Sequence, residues 1–157
     1  MISTTAEYAL RIMIVLAEAE GVPTTSEKIA RLTNVPADYA VKVLQMLARE
    51  KLVRAQRGRG GGFRLLSDPK HTSLLDVVNA IEPLERITSC PLGRDEHQDE
   101  LCALHRCLDD IARRLQESLQ EMTLASVIDG QGGPALCPPS SVTLTREGLA
   151  PAGADRS

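Results

Sequence analysis

Aromatic residues are nearly missing from this chain. Trp is absent, and two Tyr and one Phe supply only 2% of its 157 residues. Packing must therefore rest on Leu, Ile, Val and Ala, a composition that favours helices. No apolar run approaches the length needed to cross a bilayer, and Met1 leads into an amphipathic pattern rather than a signal peptide. The expectation is one cytoplasmic domain with an appendage and no membrane partner. Cysteine is scarce as well. Four thiols in a reducing compartment suit ligands, redox sensors or inert core positions better than structural disulfides. Neither a nucleophile elbow nor a metallohydrolase spacing occurs, so the chain does not read as an enzyme. "DEHQDE" (95–100) reads as a solvated acidic loop.

An overall basic excess is also lacking, since net charge is -3 and the pI is about 5.6. The distribution of charge says more. Between Arg49 and Arg64 lie Arg49, Lys51, Arg54, Arg57, Arg59 and Arg64 against a single acid, Glu50. That stretch carries +5 and leaves -8 for the rest of the chain. A local cationic stripe on an acidic molecule can still steer phosphate binding.

Helical periodicity organises the first half. Tyr8, Ile12, Val15 and Leu16 share one stripe, with Glu7, Arg11 and Glu18 outside it. Gly21 and Pro23 end that helix. A second helix begins with a capping-box spacing, Thr24 to Glu27, and turns Ile29, Ala30 and Leu32 inward. After "NVP" a third restarts at Pro36, making a helix-turn-helix. Its Val43, Leu44 and Leu47 are apolar, while Asp38, Lys42, Gln45 and Arg49 fall on the opposite face and could reach phosphates or base edges. Two short strands, "LVRAQ" and "GFRLL", flank the run "RGRGG". The expected hairpin puts Arg57 and Arg59 at its tip, with Gly60, Gly61 and Gly62 giving turn geometry and clearance toward DNA. No lysine of a phosphate-binding loop follows these glycines. The fold class is thus mainly α with a small β-hairpin wing. A winged helix-turn-helix domain, with Thr25, Tyr39 and the residues above as DNA-contact candidates, is joined to a long dimerisation helix.

That long helix is expected from about Ala103 to Ile128, with Leu104, Leu108, Ile111, Leu115, Leu119 and Met122 as a seam for a partner copy. The domain reading is 1–83 for the DNA-binding unit, 84–107 for a cysteine-containing loop, 108–129 for the dimerisation helix and 130–157 for a disordered tail. A further helix, "TSLLDVVNAIEP", precedes the loop.

Taken in order, "EYALRIM", "KIARLTNVPADYAVKVLQMLAREKLV", "RGRGGGFRL", "SLLDVVNAIEP" and a cysteine loop before a long helix resemble the IscR/NsrR-like family of bacterial winged-helix transcriptional regulators. The resemblance spans residues 1–128. It implies a homodimer on a palindromic promoter site in double-stranded DNA, and an iron-sulfur cluster, 2Fe-2S or 4Fe-4S, whose state alters DNA affinity. Cys90, Cys102 and Cys107 match the family's three-cysteine loop, but their C-x11-C-x4-C spacing is wider and less even than in cluster-binding relatives. Thiolates suit iron, and three of them leave a position for another ligand. Glu7 stands at the family's N-terminal carboxylate position, and His105 and His97 are local alternatives. Zinc ligation, a reversible disulfide switch and inert thiols are competing readings of the same cysteines. Cys137 reads as incidental. A winged-helix protein-interaction module is the alternative to a DNA-binding regulator.

Overall fold

The first two helices each start where a short hydroxyl side chain caps them. In the computed structural model, which describes residues 2–90, 101–130 and 136, Ser3 accepts from Ala6 N and opens α1 (Thr4–Glu18). This helix is the hub of the core. Ala9, Ile12, Met13 and Leu16 are essentially inaccessible, and α1 packs on three neighbouring elements of the N-terminal half, α2 (Ser26–Thr33), α3 (Ala37–Arg49) and the second strand.

The start of α2 lies one residue later than the expected capping box. Thr25, not Thr24, is the cap and accepts from Lys28 N, so Glu27 closes no box with Thr24. Thr24 is engaged elsewhere, as shown below. Asn34 ends α2 in the left-handed conformation (φ 53), which Asn tolerates better than most residues. Val35 N then bonds back to Ala30 O, Pro36 caps α3, and Ala40, Val43, Leu44 and Leu47 enter the core.

Strands β1 (Val53–Gln56) and β2 (Gly62–Leu65) form the hairpin, antiparallel in the register Val53↔Leu65, Arg54↔Arg64, Ala55↔Phe63 and Gln56↔Gly62. Its glycines have specific reasons. Gly58 and Gly60 take positive φ in the turn. At Gly62 (φ +152) an added Cβ would stand 2.6 Å from Thr24 O, because Thr24 and Phe63 exchange two backbone hydrogen bonds of 2.9 and 2.8 Å. The clearance anticipated for DNA at this position is thus used by the chain itself. Gly62→Ala is expected to lower stability by about 2–3 kcal/mol, since the Cβ meets backbone and not a flexible side chain. Thermal unfolding measures this, and a variant as stable as the parent would contradict the close approach.

The C-terminal elements pack against the same core. Helix α4 (Leu74–Asn79) is opened by a capping box between Ser73 and Asp76, and it packs on α1 and α5 (Ala103–Glu121). The long helix expected to reach Ile128 instead ends at Glu121, and a separate α6 (Leu124–Ile128) follows. The physical reason lies in residues 122–123. Met122 is extended, its carbonyl accepts from Leu74 N, Thr123 bridges to Ser73, and Leu124 N donates to Thr72 O. Thr123 also caps α6 in a box with Ser126, and Leu124 is wholly buried. Backbone pairing plus a buried leucine outweighs one continuous helix.

Candidate nucleic-acid interface and cysteine site

The outward faces of α3 and the hairpin carry the proposed DNA contacts. Asp38, Lys42, Gln45 and Arg49 are exposed on α3, opposite its buried stripe. Arg57, Arg59 and Gly60 are exposed in the turn, whereas Gly61 is half-buried. The Thr24–Phe63 pairing fastens the hairpin to the residue just before the α2 cap, so the wing is tied to the helix-turn-helix by hydrogen bonds. Thr25 is exposed, with its hydroxyl oxygen engaged in capping.

Tyr39 has a second role that its sequence position did not reveal. Its hydroxyl lies 2.7 Å from that of Thr5, and its ring meets Tyr8 edge-on at 5.7 Å. It therefore joins the first turn of α3 to α1 while staying partly exposed. Arg11 reinforces this junction, reaching Glu7 at 2.6 Å, Thr33 O at 3.1 Å and the face of Tyr8.

The cysteines divide into two groups. Cys102 caps α5, and its sulfur lies 3.2 Å from His105 Nδ1; Cys90 Sγ approaches the same nitrogen at 3.9 Å. Cys107 is exposed inside α5, beyond the start of the helix at Ala103, and not in the loop expected to run to residue 107. At about 100° per residue it points roughly opposite His105 on the helix. Glu7 makes its ion pair with Arg11, and among the described residues its hydrogen bonds do not include Cys90, Cys102 or Cys107. Among the described residues, no three His, Cys, Asp or Glu side chains already converge as a metal site. His97, Cys137 and the acidic run 95–100 lie outside the described residues, as does the tail after residue 130 apart from Leu136.

The sequence pattern missed what anchors the segment leading to Cys90. Asp109 accepts from Arg86 Nε at 2.6 Å and from Ile87 N at 2.9 Å, and its second oxygen pairs with the Arg86 guanidinium. The hydrogen bonds to Arg86 hold the Asp109 carboxyl below its usual range, and Asp109 in turn raises Arg86. One end of the segment is pinned by Gln116, whose amide donates to Leu84 O. Residues 84, 86–87 and 90 thus meet residues 116, 109 and 105 in turn, antiparallel to α5. These contacts span 15 to 32 residues and are polar, so no apolar period announces them.

A different stripe of α5 remains uncovered. Leu104, Leu108 and Ile111 are exposed, Leu115 and Leu119 are half-buried, and Met122 lies exposed just beyond the helix. Such a row on one helix exceeds the scattered apolar exposure usual on a monomer. Among the described residues, no helix is long and apolar enough to cross a membrane.

Comparison with known proteins agrees with this geometry. The sequence profile of the Rrf2 family, described as iron-dependent transcriptional regulators, matches residues 2–130. A Mycobacterium tuberculosis protein named as an HTH-type transcriptional regulator, Rv1287, is 32% identical over 130 residues, covering 82% of this chain and 81% of that protein. Among solved structures, CymR, the global cysteine regulator of B. subtilis, superposes with a TM-score of 0.67 at 31% identity, covering 82% of this chain and 96% of that one. T. potens IscR has the same fold, with a TM-score of 0.67 at 20% identity, covering 84% and 93%.

Proposed function

Because this chain belongs to the Rrf2 family of transcriptional regulators, we propose that it acts as a homodimer on a palindromic operator, reading it with α3 and the wing. The observation that carries this reading is the exposed cationic tip of a wing whose second strand is hydrogen-bonded, through Phe63, to Thr24 just before the helix-turn-helix. In this arrangement α3 enters the major groove with Asp38, Lys42, Gln45 and Arg49, while Arg57 and Arg59 meet phosphate or the minor groove. Thr25 and Tyr39 support that surface from the start of α2 and α3. Selection of bound duplexes from a random pool tests the reading: a palindromic consensus supports it, and recovery of no duplex removes it.

The sensing part of the proposal rests on donor chemistry. Cys90 and Cys102 supply soft thiol donors around one imidazole, His105, and these fit an iron-sulfur cluster by type. When bound, such a cluster would supply a group sensitive to oxidants, nitric oxide and iron supply. Cys107 would join it only if the first turns of α5 rearranged, and Glu7 would complete it from another chain's α1. Binding that draws Cys90 and Cys102 together acts on the start of α5 and on the segment pinned to Asp109. The same two thiols also favour a second reading, a cluster-free switch in which a peroxide takes two electrons and two protons and joins the sulfurs as a disulfide.

Anaerobic purification with iron and sulfide assays separates these. Cys102→Ser and His105→Ala are expected to lose most of the iron and visible absorption, with Cys107→Ser keeping the greater part. A colourless, iron-free parent protein whose operator affinity is unchanged by air removes the cluster and leaves the DNA-binding reading intact. Loss of iron in Cys107→Ser equal to that in Cys102→Ser would return Cys107 to the ligand set.

A further inference from the structure

The register of the wing sets two arginines directly opposite each other. Arg54 in β1 pairs with Arg64 in β2, and cross-strand partners share one face with their Cβ atoms about 5 Å apart. Alternation fixes which face this is. Val53 is buried, and Phe63 and Leu65 pack against the core, so Val53↔Leu65 and Ala55↔Phe63 mark the inner side. Arg54 and Arg64 therefore mark the outer side, Arg54 exposed and Arg64 half-buried.

Like charges placed directly opposite destabilise a two-stranded ribbon unless something neutralises them. Among the described residues, nothing does. The ion pairs among the described residues involve Glu7, Asp68, Asp109, Asp110 and Glu117, and none of these reaches Arg54 or Arg64. The acids nearest in sequence are Glu50, which is exposed, and Asp68, which bonds to Lys70 and His71, and among the described contacts neither pairs with Arg54 or Arg64. A cationic pair with no counter-charge among the described residues has donors to offer an external anion.

We infer that the Arg54–Arg64 pair is a second phosphate contact of the wing, binding the phosphodiester backbone of duplex DNA beyond the reach of the Arg57–Arg59 tip. The inference rests on the DNA-binding reading above and extends its footprint. Arg54 lies three residues from Arg57, about 10 Å along the strand, so the cationic ribbon is an extended line and not a point. Arg54 and the tip residues Arg57 and Arg59 along that line are all exposed to solvent. A duplex presents phosphate as a continuous line of charge and matches that shape.

The test couples two readouts that ordinary surface arginines would not move in opposite directions. In Arg54→Gln/Arg64→Gln, affinity for a random-sequence duplex is expected to fall about tenfold near physiological salt, with the log–log salt slope shallower by about 1 to 2. Without DNA and at low ionic strength, the same variant is expected to melt slightly higher than the parent, because the opposed charges are gone. Arg64→Gln alone should show both effects in part, and serves if the double variant folds poorly. Unchanged duplex affinity, or a lower melting temperature with an unchanged salt slope, overturns the inference. Inorganic phosphate at constant ionic strength provides the remaining arm. If it stabilises the parent and not the variant, the pair is a small-anion site and the duplex assignment fails. Failure of the regulator reading looks different: the parent itself would then show no salt-dependent duplex binding.

Discussion

Arg57→Ala/Arg59→Ala is expected to reduce operator affinity roughly 100-fold near physiological salt, about 1.4 kcal/mol for each guanidinium removed. The two side chains stand exposed at the turn, so the loss should come from lost contacts and not from unfolding. If both touch phosphate, the salt slope becomes shallower by about 2, because each neutralised phosphate releases close to one counterion. Discrimination between operator and random duplex would then change little. If one of them reads the minor groove, discrimination falls as well. Titrations at several salt concentrations with both duplexes distinguish these cases. Retention of parental affinity would remove the wing from the interface and favour the protein-interaction alternative, for which the cationic tip is incidental.

An even larger effect is expected from Leu108→Asp/Ile111→Asp. Both side chains are exposed on α5, and they stand in the row that includes Leu104, Leu115 and Leu119. Neither supports the chain's own core, so the variant should fold as a monomer with its thermal transition largely preserved. Burying a carboxylate pair in an apolar seam would prevent association. A monomer loses one of two half-sites, and operator affinity should fall by about three orders of magnitude or more. Sedimentation and operator titration on one sample give both values. A variant that stays dimeric places the seam elsewhere, and a monomer with unchanged affinity denies that the two half-sites are read together.

How far the sequence foretold this structure varies by element, with a physical reason in each case. Helix α3 was legible because Val43, Leu44 and Leu47 obey a helical period that nothing overrides. The hairpin was legible because glycines with positive φ leave few alternatives to a turn. The start of α2 was read one residue early: Thr24 and Thr25 are both competent caps, and only the distant partner Phe63 decides between them. Periodicity carried the long helix to Ile128, but the pairing of residues 122–124 with 72–74 breaks it, and such a contact has no local signature. At the cysteines, spacing could name the thiols but not sort them. Cys107 separates from Cys102 because the helix begins at Ala103 and rotates them apart. Asp109, which anchors the segment before Cys90, looked like one more surface acid.

Thr24 and Phe63 leave the wing little room to swing against α2 and α3, because two backbone bonds pass between them and Gly62 lets the chains touch. Each protomer would then carry a stiff reading head, like one jaw of a caliper. A signal arriving at α5 would alter the gap and phase between two jaws and not the shape of either. Operator choice would be sensitive to the number of base pairs separating the half-sites, since one added pair rotates the second jaw's target about a tenth of a turn around the duplex.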